Sequence, residues 1–262
     1  MDVFVEQFGS IESFYEYLCK TPFNDAFRWT GHSSVTNGYS FTKTHSFEYA
    51  VNLMKDGWQE MTPTLVQKLD VATKHDAPVM KQRNVLSVCG YQPVVPLYLA
   101  GVPTNMISKQ LVAVKSKIIN VTKLVNYNGA TSVDKMMDES VKALQVVKKL
   151  EAQGYRCNLF VAVGTEADSR QIICKVKIKG ANERLNVSKM SFPMVHPSML
   201  RRLFFRFIEV HPEVTNGFVG GYGHPVSFTN MKQALVGDIV IPSVFEANVE
   251  SIKDLESLQA TV

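Results

Sequence analysis

The side chains able to move protons or hold ions are scattered along this sequence rather than grouped. His32, His45, His75, His196, His211 and His224 lie far apart, with no HExxH or HxH spacing to bring two imidazoles to one metal. His196 and His211 each precede a proline, the context of turns and helix starts. No GxSxG raises a serine on a sharp strand-to-helix turn, so a Ser or Cys nucleophile with a His base must assemble across distance. Glu166 and Asp168 form an acidic pair in a polar turn, Gly164–Ser169. Two neighbouring carboxylates there suit acid–base work, although solvated turn acids are the commoner case. Cys19, Cys89, Cys157 and Cys174 form no CxxC pair and sit in apolar contexts, where cysteine behaves as a small hydrophobe. They point to a reducing cytoplasm rather than a disulfide scaffold or a Zn site.

Two other groups invite a binding role. Val219–Pro225 (VGGYGHP) is dense in glycine, but it lacks the Gly-Lys-Ser/Thr ending of a phosphate loop, and Pro225 blocks a following helix. It reads as a surface loop. Basic residues are the second group. A helix carries Arg201, Arg202 and Arg206, with Phe204, Phe207 and Ile208 at core spacing, and a strand carries Lys175, Lys177 and Lys179. Such groups on one face suit phosphate contacts or an acidic partner. The plainer reading is a core helix with an exposed basic edge. A formal charge of +4 permits a nucleic-acid partner without demanding one.

The elements that must position these residues are clearest in the second half. Ser132 caps a long amphipathic helix reaching Gln153, with Asp134 in its first turn and Lys148 and Lys149 in its last, matching the helix dipole. Val133, Met136, Met137, Ser140, Leu144, Val147 and Leu150 form its apolar stripe. Strands Ile118–Val125 and Tyr155–Val163 flank it, a β-α-β unit in which both strands run parallel. Leu111–Val114 is a further short strand. Arg170–Lys179 alternates apolar and polar residues after a tight turn and reads as an antiparallel edge strand guarded by lysines. Val187–Val210 is mainly helical, Asp238–Ile241 a strand, and Ser251–Leu258 a last helix. Before this lie helices at Ile11–Lys20, Ser46–Asp56 and from Thr62, separated by a Ser/Thr/Asn/Gly-rich loop, Arg28–Thr42. The apolar, proline-punctuated stretch from Asn84 to Pro103 reads as a buried joint. The predicted class is α/β, a mainly parallel open sheet with an antiparallel edge strand. A mainly helical region, residues 1–105, packs on a sheet domain, residues 106–262.

This order of elements resembles the von Willebrand factor A-type fold, whose first strand ends in an Asp-x-Ser-x-Ser motif that holds Mg²⁺. Here the equivalent turn is Asn126-Tyr127-Asn128-Gly129-Ala130. Amides stand at Asn126 and Asn128 in place of the ligands, so the resemblance implies a degenerate metal position. No metal and no cofactor are expected.

Three segments together resemble a group of uncharacterised bacteriophage proteins. They are Trp29-Thr30-Gly31 with Thr44-x-Ser46-Phe47-Glu48-x-Ala50 and Gly57-Trp58; Gly90-Tyr91-x-Pro93-x-Val95-Pro96-x-Tyr98-Leu99-x-Gly101-x-Pro103 with Met106; and Leu150-Glu151-x-x-Gly154-Tyr155-Arg156 followed by His196-Pro197-Ser198-Met199-Leu200-Arg201-Arg202. The resemblance implies a phage origin and carries no catalytic residue across. Of the 262 residues 45% are hydrophobic and 20% charged, and no run approaches the roughly 18 apolar residues of a membrane helix. The N-terminus, MDVFVEQFGS, lacks a basic-then-apolar signal. These features predict a soluble, non-enzymatic protein of the host cytoplasm or virion that binds a protein partner or itself. A nucleic-acid-binding accessory factor and an enzyme with a distance-assembled site are the alternatives.

Overall fold

The computed structural model describes residues 1–28, 31–72, 82–111, 117–127, 129–219 and 221–243. The chain opens with strand β1, Asp2–Phe8, and turns into helix α1, Ile11–Lys20. Ser10 and Ser13 form a capping box, each hydroxyl accepting the other's amide at 3.1 Å. Phe14 and Leu18, one turn apart, are the face α1 buries. Single-turn helices α2, Ser33–Thr36, and α3, Tyr39–Thr42, lie within the stretch that reads as loop. Helix α4, Phe47–Asp56, starts on the Ser46 hydroxyl, which accepts from the Tyr49 amide at 3.0 Å. It ends at Gly57, whose φ of 82° and approach to the Ser188 carbonyl leave no room for a side chain: a Cβ would sit 2.1 Å from that oxygen. Helix α5, Thr62–Ala72, follows.

Residues 82–111 form a small sheet of their own. Strands β2 (Gln82–Ser87), β3 (Gln92–Pro93) and β4 (Met106–Leu111) lie in the order β2-β4-β3, all antiparallel, with the short helix α6, Val95–Leu99, at the turn. Pro93 occupies the edge strand β3, where a missing N–H is tolerated. Here the structure corrects the expectation of a buried joint. Leu86, Val88, Tyr91, Val95, Tyr98 and Leu99 are all exposed, and among the described side chains none of this arm belongs to either hydrophobic core. Apolar content requires a covering layer to become burial, and a three-stranded sheet has no second layer of its own.

The main sheet takes up strands β5 (Ile118–Leu124), β6 (Arg156–Ala167), β7 (Arg170–Lys179), the two-residue β8 (His224–Pro225) and β9 (Asp238–Ile241). Helix α7, Val133–Ala152, connects the parallel pair β5 and β6. It is capped by Ser132, and its buried stripe runs from Met136 to Leu150. Asp168 and Ser169, with φ of 48° and 63°, close the β6–β7 hairpin in the left-handed geometry of a two-residue type I′ turn. Then come α8 (Val187–Val195), a π-helical segment (Met199–Phe204), α9 (Phe205–Val210), α10 (Asn216–Val219) and α11 (Phe228–Ala234).

The strand order is β1-β7-β6-β5-β9, with β8 paired antiparallel to the end of β6. Pairings β1–β7, β5–β6 and β5–β9 are parallel and β6–β7 is antiparallel. The fold is therefore α/β, a mainly parallel mixed sheet whose edge strand β1 runs against β6, β5 and β9. Strand β7 is not that edge. β1 covers its outer side in unbroken register from Asp2 opposite Arg170 to Phe8 opposite Val176. Apolar–polar alternation reports the two faces of a strand and is silent on whether its backbone edge is paired.

The larger core lies on one face of the sheet, where α1, α4, α5, α7, α8 and α9 pack. A smaller cluster, Leu124, Ala162, Ile173, Val226, Met231, Leu235 and Val240, fills the other face beneath α11. Among the described residues no helix is long and apolar enough to cross a membrane.

Candidate functional site: a carboxyl-end cleft and an apolar arm

Beyond its last paired residue, β5 continues into Asn126. The Asn126 side chain imitates a peptide group: Nδ2 donates to the Gly164 carbonyl at 3.0 Å and Oδ1 accepts the Gly164 amide at 3.1 Å. Both amide atoms are thereby committed, so the position aligned with a metal ligand acts as one more rung of the sheet. Asn128 lies outside the described residues. Among the described residues no three His, Cys, Asp or Glu side chains gather in a way that suits a metal ion.

Next to this turn, above the carboxyl ends of β5 and β6, is a cleft of about 230 Å³. This is where ligands settle in open α/β sheets. One wall is the π-helical segment, which contributes Leu200, Arg201 and Phe204, followed by Phe205. Such widened turns are frequent at functional sites. Phe41 and Tyr127 form other walls, and Gly221, Tyr222, Gly223 and Pro225 form the rim. The structure thus joins three features far apart in sequence: the Asn126 turn, Arg201 and the glycine-rich loop.

Aromatic contacts dominate the cleft. Phe205 stacks on Tyr222 with ring centres 4.2 Å apart, and the Arg201 guanidinium lies 4.4 Å over the Phe41 ring. Arg201 donates to the carbonyls of Phe41 at 2.5 Å and Gly129 at 3.0 Å. The Thr165 hydroxyl donates to the Tyr222 carbonyl. Tyr222, at a φ of 60°, sends its hydroxyl to Glu209 Oε1 at 2.5 Å and accepts the Ser33 amide at 2.9 Å. Burial and that carboxylate hold its phenol above the usual tyrosine range. Among the described residues no carboxylate, imidazole or thiol lines the cleft. Its walls offer mainly aromatic and apolar surface beside the Arg201 guanidinium and the Thr165 hydroxyl.

The acids and histidines singled out by sequence lie elsewhere. Glu166 accepts from the Gln171 amide at 2.8 Å, and Asp168 from the Thr215 hydroxyl at 3.2 Å. His196 is buried between Phe192 and Trp58, its Nδ1 accepting the Ser198 amide at 3.0 Å. Burial lowers its pKa to about 4.

The basic candidates turn inward, which corrects the expected exposed basic edge. Arg202 is 0% exposed and ties down the loop that carries α2 and α3. Arg206 lies 4.2 Å over Phe23 and 4.6 Å over Phe47, close to the buried Glu209. Lys175 pairs with Asp238 inside the sheet, over the Phe160 ring. Lys179 donates to Glu151 at 2.6 Å and to the Cys157 carbonyl at 3.1 Å. Lys177 is half-buried beside Phe160. Packing accounts for this: Arg202, Lys175 and Lys179 follow apolar neighbours into the interior and take local acceptors, while Arg206 lies between aromatic rings with its buried Nε unbonded, so among the described residues these side chains form no continuous basic face.

Sequence reasoning passed over two buried groups. Lys123, within an apolar strand, is 0% exposed and donates to the Pro242 carbonyl at 2.7 Å. Burial lowers its pKa to about 7. Glu209, also 0% exposed, accepts from Ser34 and Tyr222. The available signal was a lone charge inside an apolar run, IINVTKLV, for the first and an acid between apolar residues, FIEV, for the second.

A family model described as a domain of unknown function, DUF7192, matches residues 2–260. No curated protein and no solved structure matches the chain.

Proposed function

The chain belongs to the DUF7192 family, and from that premise we propose that it is a non-enzymatic protein acting by protein–protein binding, with the arm of residues 82–111 as its docking element. The supporting observation is the arm's exposed apolar surface. Leu86, Val88, Tyr91, Val95, Tyr98 and Leu99 all face solvent on one small sheet and its turn. Scattered apolar side chains are ordinary on a surface, but six exposed on one small arm suit a contact site. Each Å² of that surface removed from water contributes about 25 cal/mol, so a partner covering the arm gains what the fold itself leaves unused.

In this reading, and following the resemblance to phage proteins, the partnership belongs to a virion or to a phage–host complex in the host cytoplasm. The cleft is a secondary contact point suited to a flat apolar group. A photo-reactive residue at Tyr98 tests the proposal in cells making the chain. It should crosslink to one defined protein, identified by mass spectrometry, and Leu99→Asp should remove the product. Yield no higher than from a probe at Lys142, on the exposed side of α7, would sink the proposal.

A further inference from the structure

We infer that one partner of the arm is a second copy of this chain, the open edge of β2 in one copy adding to the open edge of β1 in another. This rests on the protein-binding reading above and names the partner. Among the described residues both strands end their sheets, β1 beyond β7 and β2 beyond β4. They are matched in length, seven residues and six. The Asp2 amide donates to the Ser169 carbonyl at 3.0 Å. Backbone groups alternate sides along a strand, so Asp2, Phe4 and Glu6 use theirs on β7 while Val3, Val5 and Gln7 point theirs outward. An unpaired row of this length is a template for another strand.

Side-chain alternation makes the two edges complementary on both faces at once. In β1, Val3 and Val5 are exposed on one face, and Asp2 and Glu6 stand on the other. In β2, the exposed Leu86 stands on one face and the exposed Arg83 on the other. A joint sheet that sets Leu86 beside Val3 and Val5 necessarily sets Arg83 on the face of Asp2 and Glu6. Like edges do not match: β1 against β1 gathers four carboxylates, and β2 against β2 opposes two arginines.

The wider charge distribution agrees. Residues 82–111 hold two basic residues, Arg83 and Lys109, and no Asp or Glu. The arm is therefore cationic, while the β1 edge carries Asp2 and Glu6, which favours contact between unlike edges.

Sedimentation equilibrium on the full chain tests this, because pairing of unlike edges has a signature. Wild type should self-associate. Val5→Pro removes one outward N–H and leaves the β1–β7 ladder intact; Leu86→Asp alters an exposed arm residue. Each should weaken association about tenfold or more, the equivalent of roughly one hydrogen bond. Mixed together, the two variants should form a one-to-one heterodimer, since each keeps the edge the other has lost. That recovery also shows that both are folded. Arg83→Glu should weaken association and a Glu6→Lys partner should restore it. A wild type that stays monomeric overturns the inference, as does undiminished association of Val5→Pro or a mixture that remains monomeric. If the chain is monomeric while the Tyr98 probe still crosslinks to another protein, the self-pairing fails and the binding reading stands.

Discussion

Arg202 holds Thr44 twice, from Nε to the hydroxyl at 2.7 Å and from Nη2 to the carbonyl at 3.0 Å. Its remaining donors reach the carbonyls of Ser34 at 2.9 Å, Val35 at 3.2 Å and Asn37 at 2.8 Å. One side chain from the π-helical segment thus satisfies the backbone of a loop that makes few ladder bonds of its own. Arginine suits the task because its planar fork presents five donors in fixed directions, which a lysine ammonium cannot reproduce. Arg202→Lys should lower stability by about 3 kcal/mol, because a buried charge keeps its desolvation cost while losing most of its acceptors. Urea denaturation measures the loss, and proteolysis between residues 31 and 45 should accelerate. An unchanged midpoint would show that other contacts hold the loop.

The β6–β7 turn offers a change in the opposite direction. Asp168 and Ser169 both adopt positive φ, 48° and 63°. Asp168 tolerates this and also accepts from the Thr215 hydroxyl at 3.2 Å. Serine at the second position carries strain that glycine would not. Ser169→Gly should stabilise the fold by about 0.5 kcal/mol after the entropy that glycine adds to the unfolded chain. A thermal melt should rise by about 1 °C, and a lower Tm would contradict the turn geometry.

The α/β pattern was legible where local signals agree. For α7, the Ser132 cap, the dipole-matched ends and the stripe from Met136 to Leu150 all state one answer. β1 was illegible because its partner, β7, begins more than 160 residues later. The inward turn of Arg201 and Arg202 was hidden for a different reason. They sit in a π-helical segment, where i→i+5 bonding widens the turn and a 3.6-residue projection assigns the wrong faces. For the arm, apolar composition suggests burial, but only the tertiary arrangement decides what covers it. The cleft joins Asn126, Arg201 and Tyr222, which no local pattern links.

His196 makes stability depend on pH on the acid side. Its folded pKa of about 4 lies below the usual histidine value of 6.5, through burial. Between these values the unfolded chain takes a proton that the folded chain refuses, so stability is full above about pH 6.5 and falls as pH drops toward 4. The loss should reach about 3 kcal/mol. His196→Asn keeps an acceptor for the Ser198 amide and removes the titration. It should flatten the stability profile in that window, and an unchanged slope would assign the acid sensitivity to other groups.

Lys123 acts on the alkaline side with the same sign. Burial lowers its folded pKa to about 7 against the usual 10.5, even though the Pro242 carbonyl favours the charged form. As pH falls from about 10.5 to about 7, the unfolded chain gains a proton before the folded one does, so the fold becomes less stable and then levels off. At neutral pH this lysine is a cost, set beneath α7 with the Tyr127 ring 5.8 Å away. Lys123→Met fills a similar volume without a charge to desolvate and gives up one hydrogen bond worth about 1 kcal/mol. It should therefore raise stability at pH 7 by about 1–3 kcal/mol. It should also abolish the rise in stability between pH 7 and pH 10 expected of the wild type. Denaturation of both proteins at these two pH values measures the difference, and a methionine variant weaker than wild type at pH 7 would mean that the Pro242 contact outweighs the burial cost.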